Sequence, residues 1–126
     1  DFQQLLLIKS HIKMRNIKTK VISCKIIREK NGVACSTRNN KIKKIHLNTA
    51  SRVYIYLKNK KQFIKKNLKF FNYLKFKEEL IKLGLKNIDY IELYNLDNFK
   101  KPKNIKQNFK IFIAYYLDKI RLIDNI

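Results

Sequence analysis

The chain is short of the residues that punctuate a backbone and of those that carry most enzyme chemistry. It has two glycines, one proline, two cysteines, two histidines and no tryptophan in 126 residues. With glycine only at Gly32 and Gly84, no glycine-rich loop can wrap a phosphate, so P-loop and dinucleotide fingerprints are excluded. Cys24 and Cys35 have no CxxC partner, and His11 and His46 lack a Cys or carboxylate at ligand spacing, so no metal and no cofactor is expected. The longest apolar run, 111–117, falls far short of the roughly 20 residues that a membrane span needs. No secretory signal is visible, and the opening at Asp1 rather than Met leaves room for a cleaved leader or an omitted end.

Acid is scarce as well. Asp and Glu number 9 against 30 Lys and Arg, a net charge of +21. Residues 1–77 hold 21 basic residues against Asp1 and Glu29 alone, whereas residues 78–126 hold 9 against 7 acids. The abundance of Ile, Lys, Asn, Phe and Tyr matches A+T-rich coding, which inflates lysine without any function. Uniform drift does not produce so uneven a split, however, and the asymmetry points to a polyanion: nucleic acid, an anionic membrane surface or an acidic protein. Hydrophobic residues make up 45 % of the chain, enough for a core, and its length is that of one domain.

Residues 1–18 carry an apolar cluster at Leu5–Ile8 and then basic residues, an arm or extension whose structure the pattern leaves open. A domain over 19–126 follows. The β-branched VISCKII (21–27), the Asn31-Gly32 turn and VACSTR (33–38) read as a hairpin, and KKIHLNTA (43–50) as a third strand. RVYIYL (52–57) alternates like a further strand. From Gln62 the period shifts to three or four residues, which predicts a helix of about six turns closed by Gly84, its stripe interrupted at Asn67 and Lys77. NIDYIELY (87–94) reads as a strand and NLDNFKKPK (95–103) as a loop. A second helix is predicted from an Asn104 N-cap with Gln107 in the capping-box position, and KIRLIDNI (119–126) as a last strand. The expected fold is a single α/β domain, β-β-β-α-β-α-β, with a mixed sheet and two packed helices.

Two-metal nucleases share such a layout, but their chemistry needs carboxylates converging from several strands. Here the predicted meander holds only Glu29, so no catalytic site is expected and the chain reads as a non-enzyme. The basic residues then become the candidates. Lys18, Lys20, Arg28 and Lys30 cluster near the first turn, Arg38, Lys41, Lys43 and Lys44 near the second. Arg52, Lys58, Lys60 and Lys61 lie on the approach to the long helix, interleaved with Tyr54 and Tyr56, and Lys100, Lys101 and Lys103 sit in the later loop. Such lysines and arginines contact phosphates, and tyrosines stack on unpaired bases.

Three segments give this arrangement a family likeness. LIKLGLKNIDYIEL (80–93), KIRLIDNI (119–126) and the stretch from Ile27 through Asn31 to Thr49-Ala50-Ser51 resemble protein eleven of the small ribosomal subunit. Asn31 falls on a turn asparagine of that family and joins the candidates for RNA contact. The resemblance implies a structural protein holding ribosomal RNA on the subunit platform, beside other ribosomal proteins and near the mRNA exit path. It implies no membrane partner and no small-molecule substrate. The loss of family glycines suggests an organellar ribosome, mitochondrial in location. Protein eighteen of the large subunit is a rival, opposed by the closing strand, and a basic peripheral protein of an organellar membrane complex is another.

Overall fold

The computed structural model describes residues 2–126; Asp1, the first residue of the expected arm, lies outside them. The chain forms one α/β domain. Its order is α1 (Phe2–Met14), a 3-10 turn (Thr37–Lys41), α2 (Lys44–Ile64), a second 3-10 turn (Leu68–Phe70), α3 (Tyr73–Lys82), then β1 (Asn87–Asn95), β2 (Phe109–Leu117) and β3 (Ile120–Asn125). The sheet is a meander of three antiparallel strands in the order β1-β2-β3, at the end of the chain and not at its start. The expected mixed sheet and the β-β-β-α-β-α-β order are therefore corrected.

Each departure has a local cause. The two strands read at 43–50 and 52–57 are one helix, α2, whose buried residues Thr49, Ala50, Val53, Leu57 and Ile64 recur at helical spacing. The β-branched text VYIY favoured a strand, but burial along one stripe decides the outcome. The long helix predicted from Gln62 breaks into α2, a turn and α3. Asn67 and Asn72 cap the two pieces, accepting from the Lys69 and Lys75 backbone N–H groups at 2.9 and 3.0 Å. The helix predicted from Asn104 is strand β2. Asn104 does accept from the Lys106 N–H at 3.0 Å, and Gln107 does reach back to the Lys103 N–H at 2.6 Å, yet these bonds close a loop and no helix follows. FKIFIAYYL is apolar on nearly every residue, as suits a central strand covered on both faces, and such a run matches helix and strand periods alike.

Other expectations hold. Asn31-Gly32 makes the predicted tight turn, with Gly32 at φ +87° and Glu29 N–H donating to Val33 O at 2.8 Å, although only the single bridge Arg28–Ala34 extends it. Gly84, at φ +104°, ends α3 in a Schellman motif: the Leu85 N–H bonds Leu80 O and the Gly84 N–H bonds Ile81 O. Strands β1 and β3 lie where the sequence put them.

The core lies between the sheet and the helices. Leu57, Ile64, Phe76, Leu80 and Leu85 pack on Ile91, Ile111, Ile113 and Tyr115, with α2 on β2 and α3 on β1. Phe2, Tyr94, Phe99 and Phe112 form a second, aromatic cluster, in which Tyr94 and Phe99 stack at 4.4 Å. At the closing strand Ile120 and Ile126 pack on the core, whereas Ile123 is 36 % exposed and Leu122 is buried.

Candidate functional site

Between the Gly32 turn, the first 3-10 turn, α2 and the C-terminal strand lies a cavity of about 280 Å³. Its floor is apolar, from Val33, Val53, Leu57, Ile113 and Leu122, and Ser36, Arg38, Asn39 and Tyr54 stand on its wall. Apolar depth with a few convergent polar groups is the usual make-up of a small-molecule site.

The wall is held by Arg28. Its guanidinium makes a fork with the Asp124 carboxylate, at 2.7 and 2.9 Å, and donates to Gly32 O at 3.0 Å and to Asn125 O at 3.3 Å. It also lies over the Tyr54 ring at 4.3 Å. One side chain thereby ties the turn to the last strand and to α2, across 96 residues of sequence. Burial works to lower the Arg28 pKa, but the bond to and charge of Asp124 outweigh it and raise the guanidinium further above its ordinary value. Tyr54 also explains Gly32: a Cβ there would overlap the Tyr54 ring.

From this anchored turn the chain runs into Ser36-Thr37-Arg38-Asn39. The Ser36 hydroxyl caps the 3-10 turn by accepting from the Arg38 N–H at 3.2 Å. The Asn39 side chain donates to Ala34 O at 3.0 Å, while its own side-chain oxygen is buried without a partner among the described residues. Arg38 is exposed and spends one N–H on Arg121 O at 3.3 Å, leaving donors of its five for another acceptor. At Cys35, desolvation and a bond to Glu29 hold the thiol above its ordinary range, toward the protonated form. Among the described residues no three His, Cys, Asp or Glu gather as a metal site would require, and no helix is long and apolar enough to cross a membrane.

The sixteen residues expected on an RNA face are spread over several elements. Lys18 and Lys20 lie on the extended segment after α1, Lys30 and Asn31 at the Gly32 turn, Arg38 and Lys41 on the 3-10 turn, and Lys43 and Lys44 at the start of α2. Lys100, Lys101 and Lys103 occupy the β1–β2 loop. Several serve the fold instead. Arg28 pairs with Asp124, Arg52 donates to Leu83 O at 3.0 Å, Lys60 pairs with Glu79 at 2.9 Å, and the Asn31 side-chain oxygen Oδ1 accepts from the Val33 N–H. Lys58 is exposed further along α2. Lys61 is half-buried, and burial, then the charges of Lys65 and Lys110, lower its pKa to about 8. Charge counting missed Ser36, Thr37, Asn39 and Asp124. The signal available was a run of small hydroxyl and amide residues directly after the Asn-Gly turn.

The family model of pantoate-beta-alanine ligase matches residues 1–126, the whole chain. This chain belongs to the pantoate-β-alanine ligase family. It is 39 % identical to the pantothenate synthetase of Buchnera aphidicola subsp. Schizaphis graminum over 99 % of this chain and 45 % of that protein, and 37 % identical to that of Ruthia magnifica over 100 % and 45 %. The chain thus spans somewhat under half the length of the relatives it matches. Among solved structures, a pantothenate synthetase from Thermus thermophilus superposes with a TM-score of 0.85 at 21 % identity, covering 100 % of this chain and 46 % of that one; this shows the fold. The Francisella tularensis pantoate-β-alanine ligase, solved with beta-gamma ATP and beta-alanine, has a TM-score of 0.67 at 29 % identity and is covered over 40 % of its length.

Membership of a ligase family overturns the ribosomal reading in full. The likeness to small-subunit protein eleven, the large-subunit and membrane-complex rivals, the rRNA, ribosomal-protein and mRNA partners and the mitochondrial placement all fall, because the whole chain matches ligases, many of them bacterial. So do the expectations of a non-enzyme and of no small-molecule substrate, since members of this family are ligases and one is solved with two small molecules. Two of the three segments that suggested the ribosomal family, 80–93 and 119–126, are a capped helix end and antiparallel strands, features that unrelated α/β folds share.

Proposed function

We propose that this chain supplies part of an ATP-dependent ligase that joins pantoate to β-alanine, and that the Ser36–Asn39 segment on the cavity wall faces the nucleotide. The observation that carries the reading is the family match over residues 1–126. A carboxylate and an amine do not condense in water unaided, and ATP supplies the activation by converting the carboxyl oxygen into part of a leaving group. Two of the three reactants are then anionic at the reacting end, which suits the exposed cation on the wall, Arg38. Arg38 and Lys41 are exposed beside the Ser36 and Thr37 hydroxyls, and all four residue types serve phosphate oxygens. Arg28 does not contact substrate in this reading. Its donors are committed to Asp124, Gly32 and Asn125, so it positions the segment.

Titration of the isotope-labelled chain with magnesium-ATP, followed by amide NMR, tests this. Shifts should concentrate at residues 35–41, and Arg38→Ala should weaken binding about tenfold, the equivalent of about 1.4 kcal/mol. A folded chain whose amides at 35–41 ignore millimolar nucleotide would overturn the assignment.

A further inference from the structure

Lys61 is a cation that the fold half-buries without giving it a counter-charge. It follows the buried Leu57 by one helical turn, on the face of α2 that packs on β2. Lys65 stands one turn further along that face, and Lys110 on β2 is close enough for its charge to act on Lys61. Among the described residues the ammonium groups of Lys61 and Lys65 enter no ion pair. Lys110 donates one of its three N–H groups to Asn125 Oδ1 at 2.7 Å and lies 5.6 Å from the centre of the Phe2 ring. The acid that acts on it, Asp124, is already forked by Arg28. Other half-buried cations are answered directly, Arg28 by Asp124 and Lys60 by Glu79.

Such a cluster costs the fold something, because burial and mutual repulsion both disfavour the charged forms; the Lys61 pKa falls to about 8 and that of Lys110 is lowered as well. The last turn of a helix favours cations, but that accounts for charge at the helix end and not for a lysine set on the sheet against another lysine. Free ammonium donors gathered without a carboxylate are the complement of a phosphate, whose oxygens accept several charge-assisted bonds at once. We propose that Lys61, Lys65 and Lys110 form an anion site that takes inorganic phosphate, apart from the Ser36–Asn39 segment. Leu57 and Asn125, which adjoin the cluster, line the cavity, so the site borders it without sharing a donor with the nucleotide contacts. The proposal rests on the cluster and not on the nucleotide reading, so the two can fail separately.

The test is the titration of Lys61, followed by NMR of the lysine-labelled chain in sodium phosphate and in sodium chloride of equal ionic strength. Phosphate should raise the Lys61 pKa by about one unit or more over its value in chloride, because a bound dianion favours the charged form. It should also raise the melting temperature at pH 7 by roughly 4 °C once present at about tenfold its Kd. Phosphate stabilises folded proteins in general, so the comparison is with Lys61→Met, which should lose the gain beyond that shared effect. Lys65→Met, at an exposed position, should weaken phosphate binding about two- to fivefold. Identical titration of Lys61 in the two salts would overturn the proposal. A response to ATP with none to phosphate would overturn it too, because the cluster would then hold the tail of the nucleotide. The same rise should appear in a chimera in which the matching segment of the Buchnera synthetase is replaced by this chain. Its loss there would overturn the proposal, since the rest of the ligase would then cover this face.

Discussion

Removing the Asp124 carboxylate should cost this domain a large share of its stability. The Arg28–Asp124 fork is two charge-assisted bonds, with side chains only 19 % and 12 % exposed. Breaking a well-buried pair by deleting one partner costs about 3–5 kcal/mol, and bonds to charged groups are worth about 1.5–3 kcal/mol. With some solvent reaching both groups, Asp124→Ala should cost about 2–3 kcal/mol, against about 5–15 kcal/mol for a whole domain. Most of that loss is the stranded guanidinium, so Arg28→Met with Asp124→Leu should cost less than the two single changes added. Urea unfolding of the four proteins of the cycle gives the coupling, expected at about 1.5 kcal/mol or more with the slope m unchanged. A loss below about 0.5 kcal/mol with no coupling would mean that the fork is incidental, because that is the scatter of ordinary surface changes. The Gly32 turn and the Ser36–Asn39 segment would then need another anchor.

Gly32→Ala should destabilise by about 2–4 kcal/mol, combining a left-handed backbone with overlap on Tyr54, and Tyr54→Ala in the same chain should recover part of the loss in urea unfolding. Lys61, with a folded pKa of about 8 against about 10.4 unfolded, binds its proton less tightly when folded. Its burial therefore opposes folding below pH 8, and stability recovers as pH rises toward 10.4. Lys61→Met should accordingly raise the melting temperature at pH 7 and flatten the rise between pH 8 and 10.4; an identical profile in the two proteins would refute the assignment. Leu57→Ala, at a fully buried position on α2, should cost about 2–5 kcal/mol in denaturant unfolding, and a loss under about 1 kcal/mol would place α2 outside the core.

What could be read from the sequence was local. The Gly32 and Gly84 turns are dictated by positive φ, a property of single residues, and the alternation in 87–94 has one reading. Nearly continuous apolar text has two, which is why 109–117 passed for a helix behind Asn104 and Gln107, whose side chains close a loop. In 44–57, β-branched residues outvoted a stripe that becomes visible only when Ala50, Val53 and Leu57 are seen to face the sheet. Residues 20–26 look like a strand in sequence, yet among the described residues no backbone hydrogen bond reaches them. The site escaped because Arg28 finds its partner 96 residues away, and because a sum of charges cannot separate Arg28, Arg52 and Lys60, which hold the fold, from Arg38 and Lys41, which face outward.

The central claim is that this chain serves as part of a pantoate-β-alanine ligase, and product formation tests it most directly. The chimera of this chain in the Buchnera synthetase is incubated with pantoate, β-alanine and magnesium-ATP, and pantothenate is measured by mass spectrometry. Product should form only when ATP is present and should fall at least about tenfold with Arg38→Ala, which corresponds to about 1.4 kcal/mol of transition-state stabilisation. A folded chimera that makes no pantothenate, beside an active parent, would contradict the account.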